Sequence, residues 1–262
     1  MSRDSVDVGS VSLSVWHAMQ LLALFGARPE LGITEMSRAL SISKTGVQRL
    51  VNALARFDFL EQDPGTRKYR IGVGALHLGS LFLNNRSAEN EARLFMREVV
   101  RDLGHTCQFA VLHDKAMIIT ASIEGPGPIK YSVPVAHRLP LHASAVGKAV
   151  LSTRDDAEVE SFLAGAGMAP RTAKSLKTPV EFKEVLRQVR SRGYAINWEE
   201  NQAGIGSIAA PIGARHSASA VGIAFPISTV RKNDIPVFGA RIAECARSIA
   251  RRLTTMSASS AA

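Results

Sequence analysis

Residues 33–57 read ITEMSRALSISKTGVQRLVNALARF, and this stretch decides the N-terminal fold. Thr34 is placed as an N-cap, opening a short helical segment through Met36, Ala39 and Leu40. Ser41-Ile42 leaves room only for a tight turn, and Ser43 caps the next helix, KTGVQRLVNALARF. At about 100° per residue, Val47, Leu50, Val51 and Leu54 share one side of that helix. Thr45, Arg49, Asn52 and Arg56 lie opposite, with Gln48 at their margin, and no acidic residue occurs from Ser43 to Phe57. A surface helix that happens to be basic would explain this segment only if it stood alone.

It does not stand alone. Upstream, Leu13 to Phe25 carries apolar side chains at helical spacing until Gly26 and Pro29 end the run. Two helices, a short turn and a third helix give a helix-turn-helix layout. Downstream, Phe57 to Asp63 leads through Pro64-Gly65-Thr66 into Arg67-Lys68-Tyr69-Arg70-Ile71, a hairpin with a basic return strand. A hairpin directly after a recognition helix is a wing, and Arg67 and Lys68 at its tip would reach phosphates.

Composition sets the outer limits. The 262 residues are 46% hydrophobic and 21% charged, the proportions of a globular protein. No apolar run reaches the ~20 residues of a membrane helix. The opening MSRDSVDVGS is polar and does not read as a signal peptide. Cys107 and Cys245 have no metal-like spacing and fit a reducing compartment, so a cytoplasmic location is expected. The net charge of +9 is spread as +2 over residues 1–85 and +7 over residues 86–262, so bulk charge does not itself assign DNA binding.

Beyond the hairpin, Val73 to Asn84 (VGALHLGSLFLN) is a linker helix with more apolar surface than a solvated spacer needs, which points to a partner subunit. A helix from Ala88 to Leu103 ends at Gly104. Cys107 to Leu112 and Met117 to Ile123 form a hairpin about His113-Asp114, and Tyr131 to Val135 reads as a further strand. Ala143 to Leu151 and Asp155 to Leu163 are helical, and Thr178-Pro179-Val180-Glu181 is a capping box that starts a helix stopped by Gly193. Tyr194 to Trp198, Ser207 to Ile212 and Ser219 to Phe225 are strands, and Asn233 or Asp234 caps a last helix with Phe238, Ile242, Cys245, Ile249 and Leu253 on its apolar line. The tail, Ser257 to Ala262, is expected to be disordered. Hairpins mixed with helices make this an α+β domain on an antiparallel sheet.

The chain resembles the IclR-type bacterial transcriptional regulators. The resemblance is carried by ITEMSRALSISKTGVQRLVNALARFDFLEQDPGTRKYRIGVGALHLGS, by RLPLHASAVGKAVL, by RSRGYAINWEENQAGIGSIAAPI and by the final helix, in the family's order. It implies a winged helix-turn-helix domain over residues 11–72, a linker helix over 73–87 and a GAF-like effector-binding domain over 88–255. Ser41 stands where the family usually has a glycine, and Gly46 where a hydroxyl side chain is usual, a change that removes bulk from the recognition helix. The resemblance implies dimers on near-palindromic double-stranded operator DNA, paired into tetramers in many relatives. The DNA-binding candidates are Ser43, Lys44, Thr45, Gln48, Arg49, Asn52, Arg67 and Lys68.

The chemistry of LPLHASAVGKA, Leu139 to Ala149, is a separate question. A phosphate-binding loop would need glycine at His142 and a hydroxyl residue at Ala149, and it has neither. Gly204-Ile205-Gly206-Ser207-Ile208-Ala209 matches a dinucleotide pattern, but strand-like sequence with Pro211 follows it instead of a helix. None of His17, His77, His105, His113, His137, His142 and His216 has a partner at metal-ligand spacing, so neither metal nor cofactor is expected. His105 beside Cys107 does not make a catalytic triad, and no enzyme is expected. A pocket wall remains, because small residues from Ala143 to Val146 let backbone N–H groups approach an anion in a neighbourhood made basic by His137, Arg138, His142 and Lys148. The resemblance implies small organic acids, aromatic ones included, held by His142, Ala145 and Val146, with Asn197 and Ser207 opposite and Tyr131, Leu139 and Ile205 as apolar lining. An acidic residue is common in relatives where Asn197 stands. A ligand-responsive regulator of a catabolic pathway is the expected function. The alternatives are a small-molecule-binding or catalytic α+β protein without specific DNA binding, and an architectural DNA binder with no ligand.

Overall fold

The computed structural model describes residues 12–84 and 87–260. The polar N-terminus, positions 85–86 of the expected linker and the last two tail residues lie outside the described residues. The chain divides into two compact units, Met1–Asn85 and Arg86–Ala262.

The first unit holds α1 (Leu13–Leu24), α2 (Ile33–Leu40), α3 (Lys44–Arg56), the hairpin strands β1 (Leu60–Gln62) and β2 (Tyr69–Ile71), and α4 (Val73–Asn84). Leu21, Met36, Val47, Val51, Leu60 and Tyr69 are buried together, so the apolar side predicted for α3 does face the core. Thr34 is not the cap of α2. Leu31 and Tyr69 exchange both backbone hydrogen bonds, which keeps the chain extended up to Gly32, and the helix starts there, with the Gly32 amide donating to Glu35 Oε2 at 2.7 Å. Ser43 does cap α3, its Oγ accepting from the Gly46 amide at 3.1 Å. Gly46 faces inward: a Cβ there would stand 3.0 Å from Ile42 Cγ2 and 3.2 Å from Ser43 Oγ. A side chain at this position would crowd the turn by a few tenths of an ångström. Ser41 holds that turn in the left-handed region, with φ of 56°.

The second unit is built on one antiparallel sheet of six strands in the order β5-β4-β3-β8-β7-β6. Its strands are β3 (Thr106–His113), β4 (Ala116–Ile123), β5 (Arg138–Pro140), β6 (Ala195–Trp198), β7 (Ile205–Pro211) and β8 (Ser219–Pro226). The helices are α5 (Ser87–Leu103), α6 (Ala145–Leu151), α7 (Asp156–Ala166), α8 (Pro179–Arg192) and α9 (Ile235–Ser260). Side chains alternate along each strand, and two cores result. Met96 of α5 and Ile242 and Ile249 of α9 pack with Phe109, Ile208 and Ile223. Val150 of α6 and Phe182 and Leu186 of α8 pack with Ala110, Ile119 and Ala209.

Two expectations fail here. Tyr131 to Val135 is not a strand: Pro134 has no N–H to give a ladder, and the chain joins β4 only from Ala136, which turns with φ of 69° and donates to the Ile119 carbonyl, into the ladder at Arg138–Pro140. The tail is not disordered through its length, because α9 continues to Ser260. No helix among the described residues is long and apolar enough to cross a membrane.

Candidate functional site

In the first unit, α3 presents Lys44, Thr45, Arg49 and Asn52 as exposed residues, with Gln48 half-buried beside them. Gln48 Nε2 donates to Asn52 Oδ1 at 2.9 Å, which holds both amides one helical turn apart on the same side. The wing turn is braced by Asp63, whose Oδ1 accepts from the Thr66 amide at 2.7 Å and the Gly65 amide at 3.0 Å. Those bonds hold the Asp63 carboxyl below its ordinary pKa. Arg67 follows with φ of 61° and an exposed side chain. Gln48, Asn52 and Arg67 line one shallow cleft together with the start of α2. Lys68 lies 3.9 Å from Glu35, so this cation already faces a carboxylate.

In the second unit, the stretch Leu139 to Ala149 wraps tightly upon itself. A Cβ at Gly147 would stand 2.3 Å from the Leu141 carbonyl oxygen, so only glycine fits. Ser144 Oγ accepts from the Gly147 amide at 3.1 Å and donates to the Pro140 carbonyl at 2.5 Å. The small residues thereby bring α6 against the sheet face.

Seven of the eight ligand-binding candidates, Tyr131, Leu139, Ala145, Val146, Asn197, Ile205 and Ser207, line one pocket between α6 and that face. The cavity measures about 30 Å³. His142 is not among its lining residues. It is buried, its Nε2 lies 3.1 Å from the Ala169 carbonyl, and burial pulls its pKa down. The expected basic neighbourhood is likewise absent from the lining. His137 and Arg138 are exposed and outside it, and Lys148 is buried in an ion pair with Glu200. Every polar side chain in the lining is uncharged. Asn197 Nδ2 donates to Ser207 Oγ at 3.2 Å while its Oδ1 accepts from the Glu200 amide at 2.8 Å. The Tyr131 hydroxyl donates to Gln202 Oε1 at 3.0 Å.

Sequence reasoning missed several residues of this lining, among them Gln108, Val133, Asn201, Ile208, Gly222 and Ala224. Gln108 alone left a signal, a long amide in the otherwise apolar run CQFAVL. The glycine-rich Gly204–Ala209 stretch enters strand β7 and opens no helix. Burial pushes the Cys107 thiol well up and the Cys245 thiol up to about 12, so neither is a thiolate nucleophile. Among the described residues, no three His, Cys, Asp or Glu side chains cluster as metal ligands.

Comparison with known proteins bears on both units. The family model for the IclR helix-turn-helix domain matches residues 14–64, and that for the bacterial transcriptional regulator IclR C-terminal region matches residues 81–251. The chain is 30% identical over 240 residues to the glycerol operon regulatory protein of Streptomyces coelicolor, covering 90% of this chain and 94% of that one. It is 29% identical over 223 residues to the HTH-type transcriptional regulator XynR of Escherichia coli, covering 84% and 88% of the two chains. In fold it is similar to an IclR transcriptional regulator from Alicyclobacillus acidocaldarius, with a TM-score of 0.81, 24% identity, and 92% and 98% of the two chains covered.

Proposed function

The chain belongs to the IclR family of bacterial transcriptional regulators, DNA-binding proteins with an effector domain and not enzymes, and we propose that a small organic acid in the pocket beside α6 switches this one. In this reading residues 11–72 hold the DNA, 73–87 link, and 88–255 sense. Gln48 and Arg49 reach base edges, with Ser43, Lys44, Thr45 and Asn52 around them. Arg67 and Lys68 hold phosphates. The protein works in the cytoplasm as a two-fold dimer, or a pair of dimers, on a near-palindromic operator that serves a catabolic pathway.

One observation carries the ligand half of this reading: residues from β5, α6, β6, β7 and the segment before β5 converge on a single cavity. Its size favours short aliphatic acids over aromatic ones. About 30 Å³ holds little more than a water or two, whereas an apolar cavity that admits benzene measures ~150 Å³.

A calorimetric screen of organic acids on the full chain, repeated with Val146→Trp, tests the assignment. The indole fills the cavity, so binding should vanish while operator binding persists. Equal affinity in both proteins would place the effector elsewhere. Ser207→Ala should weaken binding by about 0.5–1.5 kcal/mol, the worth of one hydrogen bond.

A further inference from the structure

Gln108 stands on β3 with 5% of its surface exposed, it lines the pocket, and its Nε2 has no hydrogen-bond partner among the described residues. Asn201, in the loop between β6 and β7, also lines the pocket, and its Oδ1 has no partner there either. Buried polar atoms are almost always paired, so two unpaired ones in the wall of one cavity need a reason. Most other polar groups of the wall are already engaged. Asn197 bonds to Ser207 and to the Glu200 amide, Ser144 to Pro140 and Gly147, and Tyr131 to Gln202. The nearby cation, Lys148, is held by Glu200. The wall thus keeps Gln108 Nε2 and Asn201 Oδ1 without partners, beside a Ser207 hydroxyl that accepts from Asn197 and has its proton to give, and it offers no charged side chain.

We infer that Gln108 and Asn201 select the effector: Gln108 donates to a ligand oxygen, Asn201 accepts from a ligand hydroxyl, and the ligand is a short hydroxylated acid. This rests on the effector reading above and narrows its ligand class. A site with fixed hydrogen-bonding groups rejects the analogue that lacks the matching hydroxyl, because its own buried groups are then left unpaired. One rival explanation lies nearby. Ser122 is Gln108's cross-strand partner on β4, and its buried hydroxyl is also unpartnered, so the two could satisfy each other through a small rotation.

The test is calorimetric titration of the full-length protein with matched acids: lactate against propionate, 3-hydroxybutyrate against butyrate, and glycerate, with benzoate as the aromatic arm. At least one hydroxylated acid should bind tenfold or more tightly than its deoxy counterpart. Gln108→Met and Asn201→Leu should each erase that preference, and Ser122→Ala should leave it intact. Without ligand, Gln108→Met should melt at a higher temperature, since an unpaired buried amide is gone. A lower melting temperature would assign Gln108 to packing with Ser122 and overturn the inference. Plain acids binding as tightly as hydroxylated ones would also overturn it, while leaving the effector reading in place. If no acid of any kind binds a protein that still holds operator DNA, the effector reading falls and takes this inference with it.

Discussion

Lys148 Nζ meets Glu200 Oε1 at 2.5 Å, in an ion pair whose side chains are 1% and 13% exposed, tying α6 to the loop between β6 and β7. Burial pulls the Lys148 pKa down and Glu200 pulls it back up. Breaking such a pair from one side strands a charge in a dry site, whereas replacing both partners by apolar groups can be neutral. Lys148→Met should therefore cost about 3–5 kcal/mol in urea unfolding, and adding Glu200→Leu should restore most of it. A single variant as stable as wild type would show that water reaches the pair.

The recognition helix and the wing should fail in different ways. Arg49→Ala and Gln48→Ala should each cost about 1–3 kcal/mol at the operator and relax base choice at one position. Arg67→Ala and Lys68→Ala should weaken binding to all sequences alike and reduce the salt slope by about one for each phosphate no longer neutralised. Glu35→Gln should do the reverse for Lys68, releasing the lysine that lies 3.9 Å from the carboxylate. Fluorescence anisotropy across salt and across operator variants separates these outcomes. An Arg49→Ala protein with unaltered base preference would sink the assignment of α3.

Assembly should depend on α4. Leu78 is 57% exposed and Leu81 45% exposed, on a helix with no charged residue from Val73 to Asn84. A glutamate at either position should yield monomers and a large loss of operator affinity. Sedimentation of wild type as a monomer at concentrations where it grips a palindrome would contradict this.

Acid should loosen the effector domain through His142. Burial lowers its folded-state pKa below the ordinary 6.5, so the unfolded chain takes up a proton more readily than the folded one. Its contribution is thus intact above about pH 6.5 and declines as pH falls through that value. Carboxylates of this unit with lowered pKa, such as Asp102 and Glu199, act in the same direction only nearer pH 4. Melting curves from pH 7.5 to 5 should show the loss, and His142→Gln should flatten part of it. A wild-type melting temperature constant across that range would refute the prediction.

Much of this architecture is legible in the chain. The third helix and its apolar side, the helix Val73–Asn84 and the capping box at Thr178 follow from local side-chain chemistry, which acts within one helical turn. What escapes a sequence reading depends on distant partners. Gly32, not Thr34, starts α2 because Tyr69 holds Leu31 extended from 38 residues away in sequence. Tyr131 to Val135 has strand-like residues but lacks a ladder to join. Lys148 reads as available positive charge in the sequence, and only the fold sets Glu200 beside it. Gln108 shows in the sequence only as an amide in an apolar run, because a strand in isolation does not reveal which face meets a cavity.

Mechanically, β3 is a diaphragm one residue thick. Gln108 touches the pocket, while its chain neighbours Cys107 and Phe109 press into the opposite core with Met96 and Val99 of α5. In the proposed reading, a ligand that draws Gln108 toward itself should displace the floor on which α5 rests, and α5 follows α4 in the chain. A double-mutant cycle between Gln108→Met and Met96→Ala, read as ligand-dependent operator affinity, should be non-additive, with a coupling of about 0.5–3 kcal/mol. Additivity would send the signal by another route.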